Sequence, residues 1–257
     1  MQLKDKVALV TGGNSGIGFG TAKRLIEEGA FVYITGRNEA SLEKAAAALG
    51  KNGRAIRADV TSKADMVEVA AIIEREKRHL DIVFANAGGG GFIRLEDITE
   101  EDFDKNFNVD VKGVMFTVQT ALPLMGRGGS IVINTSITSF MALPAFSIYA
   151  ACKAALASFT KSWANELRDR GIRVNAVAPG VVPTEGYGKD MGWDEDAVRA
   201  YVERVKREIP AGRVGTTADI GNAVIYLSSE AGSFVNGIEL AVDGGMTQIY
   251  QGKNGAA

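Results

Sequence analysis

Along this chain, short runs rich in β-branched residues alternate with longer segments of helical period, the pattern of β-α-β units and a parallel sheet. The runs predict strands over 7–11, 31–35, 54–59, 81–85, 130–135, 173–178 and 239–242. Between them the apolar spacing predicts helices over 16–28, 39–49, 63–77, 101–124, 147–168 and 218–228. In the fifth of these, Leu156, Phe159, Trp163 and Leu167 recur every three or four residues and make one apolar face, suited to core or to a subunit contact. Regular alternation breaks only over 182–210. There Pro183 and a glycine-rich stretch over 186–192 precede a charged helical segment, 194–208, and Pro210. A long excursion at the carboxyl end of a strand reads as a lid or substrate loop. The expected class is α/β. A single doubly wound domain spans 1–257, with a seven-stranded parallel sheet, helices on both faces and a polar tail, 251–257, that frays.

Composition narrows the function. With 29 Lys and Arg against 31 Asp and Glu, the net charge of −2 gives no basic footprint for nucleic acid or an anionic membrane. No stretch approaches the roughly 20 apolar residues of a membrane helix. The start of the chain, Met1-Gln2-Leu3-Lys4-Asp5-Lys6, lacks a signal-peptide pattern, so a cytoplasmic location is expected. One cysteine, Cys152, cannot form an intramolecular disulfide, and with one histidine, His79, the chain has no cluster of metal-ligand spacing. His79 lies in a polar helix end, so a histidine-based triad is also absent and a different residue type must move any proton.

The first strand-to-helix junction reads Thr11-Gly12-Gly13-Asn14-Ser15-Gly16-Ile17-Gly18. A tight turn and a close approach of pyrophosphate to backbone both require glycine. The free N–H groups and the dipole of the helix that follows favour an anion there. Gly12, Asn14, Ser15, Gly16, Ile17 and Gly18 are therefore expected to bind a dinucleotide in a Rossmann-type fold. The second strand ends Thr35-Gly36-Arg37-Asn38. An acid at this point would accept from a ribose 2′-hydroxyl, whereas an arginine holds a 2′-phosphate, so Gly36, Arg37 and Asn38 favour NADP(H) over NAD(H).

Ser136 ends the fifth strand, and Tyr149 and Lys153 lie four residues apart, on one face of a helix. A free tyrosine titrates near pKa ~10, too high for easy proton exchange at neutral pH, and a neighbouring cation is expected to lower it. Together, Thr11-Gly12…Gly16…Gly18, Asn86-Ala87-Gly88, Ser136, Tyr149…Lys153 and Pro179-Gly180…Thr184 resemble the short-chain dehydrogenase/reductase family over nearly the whole chain. The resemblance implies a small-molecule carbonyl or alcohol substrate and a homotetramer. It also implies that Asp59 and Val60 meet the adenine, that Asn86, Ala87 and Gly88 stabilise the sheet and touch ribose, and that Pro179, Gly180, Val182 and Thr184 hold the nicotinamide carboxamide. Tyr149 would be the acid/base, Ser136 would orient the substrate oxygen, and Lys153 would tune Tyr149 and hold ribose hydroxyls.

One position departs from the family pattern. Where the family places an asparagine in the fourth helix, this sequence has Asp110 within Phe107-Asn108-Val109-Asp110-Val111-Lys112-Gly113. A carboxylate beside Lys153 would stabilise the ammonium and shift the pH profile, and Asn108 is expected to face elsewhere. Cys152 reads as a packed residue, and the Gly88–Gly91 run as backbone past which substrate approaches. Alternatives are a 3-oxoacyl-thioester (acyl-carrier-protein) reductase, which needs a basic surface near the cleft that Arg127, Arg168 and Arg170 are too ordinary to supply, and a non-catalytic nucleotide-sensing module. Val181, Val182, Tyr187, Met191 and Trp193, with Ile137, Leu143 and Phe146, suggest an apolar pocket wall suited to a hydrophobic or aryl ketone.

Overall fold

The computed structural model describes residues 1–185, 187–188 and 192–249. Gly186 and Met191, named above in the lid, and the tail over 251–257 lie outside the described residues. The strands are β1 (Val7–Val10), β2 (Phe31–Gly36), β3 (Gly53–Arg57), β4 (Leu80–Ala85), β5 (Met125–Asn134), β6 (Arg173–Pro179) and β7 (Glu239–Val242). All pair in parallel, in the order β3-β2-β1-β4-β5-β6-β7. The order reverses between β1 and β4, and such a switch point opens a crevice at the carboxyl ends of the strands.

The helices are α1 (Gly16–Glu27), α2 (Glu39–Leu49), α3 (Lys63–Lys77), α4 (Glu100–Asn106), α5 (Gly113–Ala121), α6 (Ser147–Glu166), α7 (Glu195–Val205) and α8 (Thr217–Ser228). Because strands of a parallel sheet are covered on both faces, their side chains alternate between two separate cores. On one face Ala8, Val10 and Ile34 pack under Leu25 of α1, Leu42 of α2 and Val224 of α8. On the other, Leu9, Val83 and Ile131 pack under Met66 of α3, Val118 of α5 and Leu156 of α6. Phe159 and Trp163 continue the α6 stripe outward as a half-buried stacked pair, centroids 4.7 Å apart.

The expected single helix over 101–124 is the main departure. It is α4, then a π-helical turn, Phe107–Lys112, then α5 and a short 3-10 turn, Leu122–Leu124. The Gly113 N–H reaches back to the Asn108 carbonyl, five residues away, which widens the turn. Gly113 is pressed so close to Val60 that a Cβ there would lie 2.7 Å from the valine Cγ2. Widened turns of this kind gather at functional positions, and this one carries Asp110, fully buried. The excursion over 182–210 holds α7, N-capped by Asp194, and is anchored by Val181, Val205 and Ile209.

Candidate active site

The turn after β1 is drawn in by backbone contacts that only small residues allow. Gly12 and Gly16 have φ of +63° and +53°, the left-handed region that disfavours a side chain. The Thr11 hydroxyl accepts from the N–H groups of Asn86 and Ala87, at 3.0 and 3.1 Å, while the Asn86 amide donates to the Thr11 carbonyl at 2.9 Å. Thr184 lies against Gly16 from the other side, about where a Cβ would sit in contact at 3.4 Å. Gly180 is packed on Asp243 just after β7. Residues distant in sequence, Gly12, Gly16, Asn86, Ala87 and Thr184, thus meet at the carboxyl ends of the strands.

Helix α1 has no acidic residue in its first turn, and its N-cap, Ser15, makes no side-chain cap bond. Helices α2, α3, α4, α7 and α8 each carry an acid in the first turn, whereas α5 and α6, like α1, carry none. The positive end of the α1 dipole is left uncompensated, as an anion-binding turn requires. At the end of β2, a Cβ on Gly36 would lie 2.5 Å from Asn14 Oδ1, and the Asn14 amide is itself tied to the Ser41 hydroxyl at 2.9 Å. The space an acidic side chain would occupy is therefore filled. Arg37 is exposed beside it, and its carbonyl accepts from Arg57 Nε, at 3.4 Å.

Two expected cofactor residues have their side chains engaged locally. Asn38 N-caps α2, its Oδ1 accepting from Ser41 N–H at 2.8 Å. Asp59 accepts from the Thr61 N–H and hydroxyl, both at 2.9 Å, while its own N–H donates to Asp65. Ser62 caps α3.

A second cluster lies at the carboxyl ends of β4 and β5. Lys153 Nζ is 2.9 Å from Asp110 Oδ1 and donates to the Asn134 carbonyl at 3.2 Å. Both side chains are almost wholly out of solvent, at 4% and 1% exposure, so the pair is poorly screened. The Gly89 N–H lies 3.3 Å from Asp110 Oδ1 and donates to it. Asn134 in turn donates from Nδ2 to Asn86 Oδ1 at 2.9 Å. One hydrogen-bonded line therefore runs from the glycine turn through Asn86, Asn134 and Lys153 to Asp110. Asn134 went unnoticed in the sequence, although an amide at the carboxyl end of a strand, two residues before Ser136, is the signal that would have found it.

Tyr149 stands beside this pair, its ring 5.2 Å from the ammonium, with the Ser136 hydroxyl hydrogen-bonded to it. Burial pushes the Tyr149 hydroxyl above its ordinary pKa. Lys153 pulls it down, Asp110 pushes it up, and the bond to Ser136 pulls it down. Lys153 thus acts in the direction its spacing predicts, but burial is the larger effect and the net direction is upward. The reason is physical: removing the phenol from water disfavours its charged form, and the Asp110 carboxylate adds to that by opposing part of the pull of Lys153. Burial works against the Lys153 ammonium, but Asp110 and Tyr149 outweigh it and hold the lysine above its usual range. Cys152 is fully buried, and burial, then Asp110, push its thiol up to about 12, which suits a packed residue.

The glycine run proves to be a matter of close approach. A Cβ on Gly88 would lie 2.4 Å from Asp110 Oδ1, and one on Gly90 would lie 2.5 Å from the Tyr149 ring, whereas Gly89 faces open space. Asn108 turns away from the cluster and lines a surface cleft with Phe107, Met115 and Phe159. Arg127 and Arg170 are tied to carbonyls of Asp169, Leu122 and Met125 at the amino-terminal ends of β5 and β6, the opposite edge of the sheet. Among the described residues no group of three His, Cys, Asp or Glu could hold a metal, and no helix is long and apolar enough to cross a membrane.

A parallel sheet with a reversed strand order, a glycine turn at the switch point and a bare helix N-terminus defines the Rossmann-type α/β class. The family model described as enoyl-(acyl carrier protein) reductase matches residues 12–247. An oxidoreductase of Sarocladium schorii is 42% identical over 250 residues, which cover 96% of this chain and 98% of that protein. A Serratia marcescens short-chain dehydrogenase/reductase double mutant superposes with a TM-score of 0.86 at 32% identity, covering 96% of this chain and 99% of that one. For 3-ketoacyl-(acyl-carrier-protein) reductase from Brucella melitensis complexed with NADH, the TM-score is 0.87 at 30% identity, with 95% and 99% covered. This chain belongs to the short-chain dehydrogenase/reductase family of oxidoreductases.

Proposed function

We propose that this protein is a cytoplasmic NADP(H)-dependent oxidoreductase that interconverts a ketone or aldehyde with its alcohol, with Tyr149 as acid/base. The observation that carries this reading is the joined cluster of Ser136, Tyr149, Lys153 and Asp110, tied through Asn134 and Asn86 to the glycine turn. A module that only senses a nucleotide has no use for a phenol beside a buried lysine. For an acyl-thioester reductase, Arg127 and Arg170 stand at the wrong edge of the sheet to attract an acidic carrier protein to the cleft.

The residues present fit a nicotinamide dinucleotide phosphate. Gly12, Asn14, Ser15, Gly16, Ile17 and Gly18 would hold the pyrophosphate at the bare α1 N-terminus, and Arg37 the 2′-phosphate beside Gly36. Asp59 and Val60 would flank the adenine, Asn86, Ala87 and Gly88 the ribose, and Pro179, Gly180, Val182 and Thr184 the carboxamide. When bound, the cofactor supplies or accepts the hydride. In reduction Tyr149 gives its hydroxyl proton to the substrate oxygen, and in oxidation it takes that proton back. Ser136 donates to the same oxygen and fixes its position. Lys153, clamped by Asp110 and the Asn134 carbonyl, stays charged and holds ribose hydroxyls. The half-buried Phe159–Trp163 pair on α6 supports assembly as a homotetramer.

Consumption of NADPH and of NADH with a panel of ketones and aldehydes tests this reading. NADPH is expected to be consumed faster, and tight binding without consumption by any carbonyl would point instead to the sensing module. Arg37→Ala should cut the NADPH-to-NADH ratio of kcat/KM by about tenfold to a hundredfold, the worth of a charge-assisted hydrogen bond. An unchanged ratio would remove Arg37 from 2′-phosphate recognition. Gly90→Ala should lower kcat by about tenfold or more while the melting temperature stays close to wild type, because the new methyl displaces the Tyr149 ring and small misplacements of a reacting group are costly.

A further inference from the structure

Six aromatic side chains from three separate segments meet around the mouth of this site. Phe146 meets Tyr149 edge-on, with centroids 5.8 Å apart, and meets Phe92 edge-on at 4.3 Å. Phe92 stacks on Trp193 at 5.7 Å with their planes 23° apart. Trp193 meets Tyr201 at 5.1 Å, and Tyr201 meets Tyr187 at 6.1 Å. The Tyr187 hydroxyl is bonded to that of Tyr201 and lies near enough to Tyr149 for their charges to interact.

Packing alone does not call for this arrangement. The lid has its own anchor in Val181, Val205 and Ile209, on which Tyr187 and Tyr201 pack, and Trp193, Phe92 and Phe146 stand outside that anchor. Phe92 is 43% exposed, an apolar ring kept in water at the edge of the cleft. Its loop is held in place from outside the cluster, by the bond from the Ile93 N–H to the Ala145 carbonyl at 2.9 Å. Ring faces and edges attract other flat rings beyond the area they bury, whereas a saturated ring gains only the burial.

We propose that the substrate is an aromatic carbonyl compound, or the corresponding alcohol, whose flat ring stacks on Phe92 and Trp193 while its oxygen lies at Ser136 and Tyr149. Phe92 and Trp193 thus set a preference for aryl over alkyl ketones. This rests on the carbonyl-reductase reading above and adds the substrate class and the residues that select it. Both residues stand outside the proton-transfer cluster, one in the loop after β4 and the other just ahead of α7, so substrate choice and chemistry are separable.

The test compares acetylnaphthalene with cyclohexyl methyl ketone in the wild type, Phe92→Ala and Trp193→Leu. The wild type is expected to favour the aryl ketone. Each variant should lower the aryl-to-alkyl ratio of kcat/KM by about tenfold, chiefly through KM, as the loss of one ring contact implies. Ratios that stay within about twofold of wild type in both variants overturn the proposal. A second readout needs no turnover. In a Trp163→Phe background the remaining tryptophan emission comes from Trp193, and acetylnaphthalene should change it in the NADP-bound protein where cyclohexyl methyl ketone does not. A changed emission with no turnover of either ketone supports the aromatic site and overturns the reductase reading. Turnover of acetylnaphthalene with unchanged Trp193 emission does the reverse.

Discussion

Tyr149→Phe is expected to lower kcat for ketone reduction by about a thousandfold, within the range that a positioned general acid contributes. The dissociation constant for NADPH should stay within a few-fold of wild type. The substitution keeps the ring, so its edge contact with Phe146 and its seat over Gly90 survive, and only the hydroxyl that Ser136 touches is lost. Single-turnover measurement with NADPH prebound separates the chemical step from binding. A loss of less than about tenfold would mean that another group or water delivers the proton. The direction of the Tyr149 shift adds a pH signature. With its pKa held above the ordinary value, the hydroxyl is protonated across neutral pH. Reduction, which needs the acid, should be level there, whereas alcohol oxidation, which needs the phenolate, should rise with pH through the alkaline range.

Asp110→Ala should be the most damaging change to stability, costing about 3–5 kcal/mol, because it leaves the Lys153 ammonium buried without its partner. For a domain of this size that corresponds to a melting temperature lower by roughly 10 °C, measurable by calorimetry. The sign of the pH dependence follows from the lysine. Its pKa in the folded chain lies above the value of ~10.4 for a free side chain. Its contribution is therefore complete below that pH and is lost only as pH rises through the folded value. Asp110→Asn keeps the shape and removes the charge. Without the carboxylate, the Tyr149 phenolate forms more readily, so the rise of oxidation rate should move to lower pH. Identical profiles for Asp110→Asn and wild type would leave the carboxylate a purely structural role.

Much of the architecture was legible because it rests on local rules. Burial on both faces makes parallel strands continuous apolar runs, so β2, β4 and β6 lie within a residue or two of their expected ends. The glycine turn, Ser136 and the Tyr149–Lys153 spacing are read from positions whose geometry is fixed by a single helix or turn. The 101–124 region was misread as one helix because its apolar spacing is helical throughout. The widened turn that breaks it answers to Val60 and to the buried Asp110–Lys153 pair, which are contacts from other elements. Asn134 and Phe92 were missed for a related cause: each matters only through partners far away in sequence, Asn86 and Lys153 for the first, Trp193 and Phe146 for the second.

The sequence by itself determined the α/β class and the glycine turn after β1, and it put Ser136, Tyr149 and Lys153 forward as candidates, since strand periodicity, glycine conformation and i to i+4 spacing are properties of short segments. Tertiary structure alone decided the net direction of the Tyr149 shift. Lys153 draws the phenol pKa down as its spacing predicts, but in the folded chain burial, with Asp110 beside it, raises the phenol by more. That outcome depends on a carboxylate 43 residues before the lysine arriving within 2.9 Å of it inside a poorly solvated pocket, and both the distance and the exclusion of water exist only after the sheet and its helices have closed.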